Sequence, residues 1–176
     1  MQIAPAELVD LNDCCQMNMS YTTDYVWQMR TGENGRAVEI HFDLARLPRP
    51  MRVEYPRLPD ELFEHWQHKD CFLVGRNAPD DIVGFVDAQT WSWQNLLWIC
   101  NLVIAPDFRR QGFGTMLLEA AAQWARDRNL SRLMLDLQTK NYPAISFVQK
   151  HGFQFCGYNE RYYSNGDIAL FFSRPS

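Results

Sequence analysis

The sequence lacks the features of a membrane or secreted protein. It contains no uninterrupted apolar run of the roughly eighteen residues that a membrane-spanning helix needs, and its first residues do not follow the pattern of a signal peptide. Its five cysteines are odd in number and include no Cys-x-x-Cys pair. Because Cys71, Cys100 and Cys156 lie in apolar runs, we expect buried free thiols rather than disulfides. These absences predict a cytoplasmic protein that has no membrane partner.

An excess of positive charge is also missing. The chain has 17 basic and 21 acidic residues, a net charge of −4, so it has no basic footprint for nucleic acid. An acidic surface slightly favours a cationic acceptor. No repeat or low-complexity tract appears, and 176 residues are enough for a sizeable core. We therefore predict a single domain over residues 1–176, either a monomer or a homodimer, that binds no nucleic acid.

The strongest pattern lies in residues 96 to 128. Leu96–Ile104 is nearly all apolar and β-prone, which predicts a buried strand. Pro106 ends this strand, and the glycine-containing turn Arg109-Arg110-Gln111-Gly112-Phe113-Gly114 follows. Apolar residues then recur at helical spacing: Phe113, Met116, Leu117, Ala120, Ala121 and Trp124. A glycine turn that leads into a helix presents free N–H groups and the positive end of the helix dipole, which suit a phosphate.

Three kinds of phosphate-binding loop contain a glycine turn before a helix, and each has its own sequence requirements. A Walker A loop needs Gly-Lys-Ser/Thr, and Gly114-Thr115-Met116 does not supply it. A dinucleotide fingerprint needs three glycines early in the chain, whereas this turn has two and lies late in the chain. The third pattern is Arg/Gln-x-x-Gly-x-Gly/Ala, which Arg109, Gly112 and Gly114 match at each specified position. A tight turn that binds nothing is the remaining alternative.

The N-terminal part of the chain has weaker patterns. Residues 1–4 predict an edge strand, and Pro5 fits the first turn of a helix that extends towards Met19. Alternating apolar residues on both sides of Asn34-Gly35 predict a β-hairpin over residues 25–42. The proline-containing segment 43–59 is predicted to be irregular, as a crossing loop or a lid.

A short helix is predicted from Asp60 to Trp66. His65 and His68 are three residues apart, but no third ligand is evident, so we expect a solvated pair and no metal. The remaining elements are predicted from apolar runs and turn residues. The strands are 71–75, 82–88, 133–138, 153–158 and 167–172, the last two as a pair, and a helix covers 142–150.

A second motif appears in residues 132 to 153, where a strand is followed by Asn141-x-x-Ala144-x-x-Phe147 and a short helix that ends in Gly152-Phe153. Together with the glycine turn, this motif resembles the GNAT acetyltransferases. The resemblance covers roughly residues 71–173 and fades before residue 70. It implies an α/β (α+β) fold with a mixed, mostly antiparallel sheet flanked by helices, in which residues 1–70 form the acceptor side.

The resemblance also implies a function, the direct attack of a primary amine on the thioester of acetyl-CoA within a ternary complex. Acetyl-CoA would be the acyl donor, without a metal. The implied cofactor contacts are Leu102, Val103 and Ile104 at an exposed strand edge, Arg109, Arg110, Gln111, Gly112, Phe113, Gly114 and Thr115 around the pyrophosphate, and Asn141, Ala144 and Phe147 beside the pantetheine arm.

The residues for proton transfer depart from the family pattern. Val148 replaces the tyrosine that many members use as a general acid, and Cys100 and Asn101 lie where many carry a glutamate. Asp136 and Asp87 lie in strand patterns and are candidate bases, since a buried carboxylate with a raised pKa can accept a proton. Either could instead be a structural aspartate.

The candidate acids are four tyrosines: Tyr142, Tyr158, Tyr162 and Tyr163. Tyr158 is the preferred candidate, although tyrosines in a hairpin are usually packing residues. Asp136-Leu137-Gln138 and the tyrosine-rich terminal hairpin loosely resemble streptothricin-type acetyltransferases. The acceptor is therefore predicted to be a small, antibiotic-like amine or a protein amine. A non-catalytic acyl-CoA-binding module is the alternative, and an unrelated nucleotide binder would leave residues 141–153 unexplained.

Overall fold

The structure is a computed structural model that describes residues 2–33, 35–57, 60–68, 70–78 and 81–176. The strands are β1 (Gln2–Pro5), β2 (Tyr21–Glu33), β3 (Val38–Val53), β4 (Cys71–Ala78), β5 (Asp81–Trp91), β6 (Leu96–Ile104), β7 (Arg132–Gln138), β8 (Gln154–Asn159) and β9 (Ala169–Pro175). The helices are α1 (Asp10–Gln16), α2 (Glu61–Gln67), α3 (Phe113–Arg126) and α4 (Tyr142–Lys150). Among the described helices, none is long and apolar enough to cross a bilayer.

Seven strands form one sheet in the order β1-β4-β5-β6-β7-β9-β8. Every neighbouring pair is antiparallel except β6 and β7, which are parallel and are connected through α3. This arrangement confirms the predicted fold class, a mixed and mostly antiparallel sheet flanked by helices. The sheet separates two apolar cores: α3 packs on one face through Leu117 and Ala121, whereas Leu11 of α1 and Leu62 of α2 pack on the other.

The centre of the sheet opens between β6 and β7. Their pairing runs only from Leu96 opposite Arg132 to Ile99 opposite Leu135. On its other side β6 pairs with β5, but Ile99 lies opposite Ala88 and Asn101 lies opposite Asp87, so Cys100 is an extra residue in a β-bulge. A bulge bends its strand and increases the local twist. From Cys100 onwards β6 therefore has an edge that β7 does not cover.

The predicted hairpin is present but is longer than residues 25–42, because β2 and β3 form a separate two-stranded sheet. Asn34 of its predicted tip lies outside the described residues. The prediction of an irregular segment over 43–59 is wrong as far as Val53, where β3 ends. Arg46 pairs with Tyr25 and Met51 pairs with Thr23, so residues 47–50 bulge out between these two pairs. Pro48 and Pro50 lie in this bulge, where the backbone does not have to donate a hydrogen bond to the neighbouring strand.

Three other predictions require correction. Pro5 ends β1 instead of starting a helix, because the N–H of Ala6 continues the ladder to the carbonyl of Phe72 (2.9 Å), and α1 begins only at Asp10. Cys156 is exposed on the edge strand β8, although all five cysteines are free as expected. The terminal strands begin at Gln154 and Ala169, one and two residues later than predicted. The second begins later because residues 160–168 form the turn that connects the two strands.

Candidate active site

A cleft of about 760 Å³ opens beside the uncovered edge of β6. It lies between the end of this strand, the first turns of α3 and α4, and the start of β2. Its lining includes most of the predicted cofactor residues, namely Leu102, Val103, Ile104, Arg109, Arg110, Gly112, Gly114, Thr115, Asn141, Ala144 and Phe147. Gln111 and Phe113 are outside this lining: the Gln111 side chain donates to the carbonyl of Asp107 (2.9 Å), and the ring of Phe113 packs against that of Phe108.

The first turn of α3 forms an anion-binding end of the cleft. The first hydrogen bond of this helix runs from the N–H of Met116 to the carbonyl of Gly112 (3.1 Å), so the N–H groups before Met116 have no acceptor within the helix. Gly112 has φ 89° and Arg110 has φ 64°. Glycine adopts this left-handed backbone conformation without strain, and both residues line the cleft. Arg110 and Lys150 add positive charge to the lining. The arrangement suits a phosphate group.

Arg109 anchors the loop. Its guanidinium donates to the carbonyls of Ile104 (2.8 Å), Ser20 (2.8 Å) and Asn18 (3.1 Å). Burial lowers the pKa of Arg109 because desolvation disfavours the charged form. These contacts hold the segment before β2 against the end of β6. Arg109 also lines the cleft, and its contact with a pyrophosphate stays a prediction.

The second motif forms the opposite wall. The side-chain oxygen of Asn141 accepts a hydrogen bond from the N–H of Ala144 (3.2 Å), so Asn141 caps α4. The ring of Phe147 lies close to Gly114, where an added Cβ would be 3.5 Å from it. His151, which the sequence analysis did not single out, places Nε2 3.0 Å from the hydroxyl of Thr115 and Nδ1 2.8 Å from the carbonyl of Phe147.

Asp136 lies beyond the cleft, on β7, in a saturated set of hydrogen bonds. Its side chain is 0% exposed. Its oxygens accept bonds from Arg57 (2.6 and 2.7 Å), the indole N–H of Trp98 (3.1 Å) and the hydroxyl of Tyr163 (2.7 Å). Burial and the adjacent carboxylate raise the pKa of Tyr163 well above its usual range. This aspartate is therefore a fixed, compensated charge with no free lone pair directed at the cleft.

Asp87 on β5 belongs to a second network. Its Oδ2 lies 2.5 Å from Nδ1 of His65 and accepts a hydrogen bond from Nδ2 of Asn101 (2.7 Å). The hydroxyl of Tyr55 donates to Oδ1 of Asn101 (2.8 Å), and Tyr55 also lines the cleft. The hydrogen bond to Asp87 raises the pKa of His65 against the opposing effect of burial. The prediction of a solvated histidine pair is wrong for His65, because α2 packs it onto the sheet.

One ligand atom from each of His65, Asp87 and Cys100 lies within 4.8 Å of the other two. Burial raises the pKa of the Cys100 thiol, which disfavours the thiolate that binds a metal. The absence of a metal remains a prediction.

The structure does not bring Tyr158 to either aspartate. Tyr158 lies opposite Leu170 and packs against the ring of Phe42 (5.4 Å between centroids), whereas Asp136 lies opposite Phe171. Leu170 and Phe171 are consecutive strand residues and face opposite sides of the sheet. Val148, at the position of the family's acid, is only 2% exposed and belongs to the core.

Sequence reasoning missed Tyr55 and Arg57, and it singled out His65 only for its spacing from His68. All three lie in the region where the resemblance fades, and no local pattern connects them to the site. They reach the site through contacts between distant parts of the chain: Arg57 and Asp136 are 79 residues apart.

A splayed strand edge that leads to an anion-binding helix N-terminus suits an extended ligand with a phosphate group at one end, such as an acyl-CoA. The sequence matches the acetyltransferase (GNAT) family over residues 41–153, and the chain belongs to this family.

The chain resembles several named proteins. It is 35% identical to streptothricin acetyltransferase from Streptomyces lavendulae over 107 residues, which cover 58% of this chain and 57% of that protein. Streptothricin acetyltransferase A from Bacillus subtilis is 34% identical over 46% of this chain and 49% of its own length. The chain thus spans about half the length of these two relatives. An N-alpha-acetyltransferase from Sulfolobus acidocaldarius is 30% identical over 82% of this chain and 98% of its own.

Solved structures extend the similarity to nearly the whole chain. A nourseothricin acetyltransferase superposes with a TM-score of 0.83 at 25% identity over 99% of this chain and 97% of its own. A Bacillus anthracis acetyltransferase in complex with acetyl coenzyme A has a TM-score of 0.77 at 20% identity, with 99% of both chains covered. At that identity the second likeness shows the fold alone.

Proposed function

We propose that the protein acetylates a primary amine of a small cationic molecule of the streptothricin type. The observation that carries the proposal is the extent of the likeness to nourseothricin acetyltransferase, which covers 99% of this chain. The matched region therefore includes β2, β3 and residues 54–57, the part of the molecule that supplies Tyr55 and Arg57 to the site. A ribosomal-protein-S18-alanine N-acetyltransferase from Escherichia coli also matches 99% of this chain, but with a lower TM-score of 0.68. A Thermoplasma volcanium Ard1 matches 67% of it, with a TM-score of 0.58.

In the proposed complex, acetyl-CoA lies along the cleft. Its pyrophosphate is held by the N–H groups at the start of α3, and its pantetheine arm pairs with the uncovered edge of β6 at Leu102–Ile104. The thioester then lies near the bulge at Cys100. A backbone N–H at this point polarises the thioester carbonyl as negative charge develops on its oxygen. The amine approaches from the side that carries the Asp87 carboxylate, whose charge favours a cation.

N-terminal acetylation of a protein is a second candidate. It is supported by the Sulfolobus acidocaldarius relative, which is 30% identical over 98% of its length. The two acceptors differ in size, since a peptide needs an open groove whereas a small amine does not. A single assay with both acceptors separates them.

The test incubates the protein with acetyl-CoA and either nourseothricin or a peptide with a free N-terminus. Release of free thiol and mass spectrometry of the acceptor are followed together. We expect thiol release and one added acetyl group with nourseothricin. Gly114→Trp is the matched control, because Gly114 faces Phe147 across the cleft and an indole would fill this space. Acetylated peptide alone would support the second candidate. Acetyl-CoA binding without thiol release from either amine would indicate a non-catalytic module.

A further inference from the structure

A histidine–carboxylate pair lies beside the bulge in β6. His65 Nδ1 is 2.5 Å from Asp87 Oδ2, and the two side chains are 14% and 2% exposed. An ionised carboxylate only accepts hydrogen bonds, so Nδ1 carries the proton and Nε2 of the neutral ring holds the lone pair. Asn101 holds the same carboxylate oxygen from β6 at 2.7 Å. The aspartate thus fixes both the tautomer and the orientation of the imidazole.

The pair lies beside the bulge, where the proposed complex places the thioester. Cys100 is the bulged residue at which β6 loses its pairing with β7, and its sulfur is within 4.8 Å of ligand atoms of both His65 and Asp87. The uncovered edge of β6 begins at this bulge. Asn101, the next residue, connects the pair to Tyr55 in the cleft lining through a 2.8 Å hydrogen bond. The histidine is thus connected through Asp87 and Asn101 to the wall of the cofactor cleft.

Other candidate bases are occupied or misplaced. Asp136 receives hydrogen bonds from three side chains and is fully buried. Tyr158 lies on the opposite face of the sheet, and Asn101 cannot accept a proton at neutral pH. In the described part of the chain, Nε2 of His65 has no hydrogen-bond partner. Nε2 therefore has no protein partner to displace, and His65 itself lies just outside the cleft lining.

We propose that His65 is the general base for the acceptor amine and that Asp87 is its positioning residue. This inference rests on the proposed function. Nε2 takes one proton from the ammonium group, and the freed nitrogen lone pair forms a bond to the thioester carbonyl carbon. The carbon–sulfur bond breaks, and a second proton from the same nitrogen passes to the leaving thiolate. The products are the amide and free CoA thiol, and His65 returns its proton to water.

The proposal has a pH signature. The groups that face the imidazole are Asp87 of β5, Cys100 of β6, Glu61 of the same helix and Arg57. The hydrogen bond to Asp87 is the largest influence and raises the pKa of His65 above its ordinary value of 6.5. A base works only in its neutral form. We therefore expect kcat/KM to rise with pH through a midpoint above 6.5 and to level off until the pH at which the ammonium group of the acceptor loses its own proton.

The experiment measures kcat/KM against pH for the wild type, His65→Gln, Asp87→Asn and His68→Gln. We expect His65→Gln to reduce kcat/KM about 10²- to 10⁴-fold and to remove the rising limb. Asp87→Asn should reduce kcat/KM by a smaller factor and move the limb to lower pH. His68→Gln is the matched control, because this histidine is exposed on the same helix and should leave the profile unchanged.

Calorimetry with acetyl-CoA shows whether each variant keeps its cofactor site, and the three variants should bind it as the wild type does. A wild-type pH profile in a folded His65→Gln variant would overturn the role of His65 while leaving the acetyltransferase function intact. A wild type that releases no CoA with any amine would instead overturn the proposed function, and the role of His65 with it.

Discussion

At the scale of single residues, two aspartates on neighbouring parts of the sheet have different environments and therefore different chemistry. Asp136 faces a permanent cation, Arg57, and two neutral donors, so its charge is compensated in every step of a reaction. Asp87 faces an imidazole whose charge changes with its proton. A fixed charge can orient an acceptor, whereas a carboxylate that stabilises an imidazolium can assist proton transfer. The two aspartates differ in role because Arg57 keeps its charge whereas His65 can gain or lose a proton.

The pair of Arg57 and Asp136 leads to a stability prediction. Arg57→Met leaves a fully buried carboxylate without its cation, and we expect the free energy of unfolding to fall by about 3–5 kcal/mol. Urea denaturation at neutral pH measures the change. Arg30→Met is the matched control, since Arg30 and Asp43 also form a 2.6 Å pair but are 71% and 52% exposed. That variant should lose less than about 1 kcal/mol. Equal losses in the two variants would contradict the buried pair.

At the scale of elements, the close approach of β5 to β6 shapes the wall of the cleft. A Cβ on Gly84 would lie 2.6 Å from both the carbonyl oxygen of Val103 and Cδ1 of Ile104. Gly84→Ala must therefore push β5 and β6 apart at Ile104, a residue that lines the cleft. We expect a loss of about 1–3 kcal/mol in stability and weaker acetyl-CoA binding by calorimetry. Gly157→Ala, whose Cβ would be 3.5 Å from Phe171, should change neither quantity.

The start of α4 gives a second prediction for an element. Asn141 caps this helix through its bond to the N–H of Ala144. Asn141→Ala should lower the free energy of unfolding by about 1 kcal/mol, whereas Asn141→Asp should retain most of it because aspartate also caps helices. Thermal unfolding of the three proteins measures both changes. If alanine and aspartate behave alike, the side chain at this position does not act as a cap.

Elements also show how far the sequence could predict the molecule. The strand–turn–helix of β6 and α3 and the capped α4 depend on patterns within about thirty residues, and their positions agree with the sequence. The bulge at Cys100 depends on the register with β5, which no local pattern reveals. Tyr55 and Asn101 meet across 46 positions of the chain. The part of the site around Tyr55 and Asn101 was unpredictable because contacts between distant segments, rather than periodicity, build it.

At the scale of the whole molecule, a chain with a net charge of −4 must bind an anionic cofactor. The overall charge opposes this association, so the local field of the cleft has to outweigh it. The dipole of α3 and the cations Arg110 and Lys150 supply that field at one end of the cleft. Salt screens both the attraction in the cleft and the repulsion from the rest of the surface. The cations of the cleft are closer to the bound phosphates than the other charges of the surface are, so their attraction is the larger effect. Salt that screens it should therefore weaken binding.

We therefore expect the dissociation constant of acetyl-CoA to rise with sodium chloride. Lys150→Gln should weaken binding roughly two- to fivefold at low salt, as expected for a partly solvated ion pair, and should reduce the salt dependence. Arg132→Gln is the matched control: it removes the same charge from an exposed position at the start of β7, at the end of this strand that still pairs with β6. Calorimetric titrations at several salt concentrations measure both effects. If the two variants lose affinity equally, net charge rather than the local field governs binding, and the cations of the cleft have no specific role.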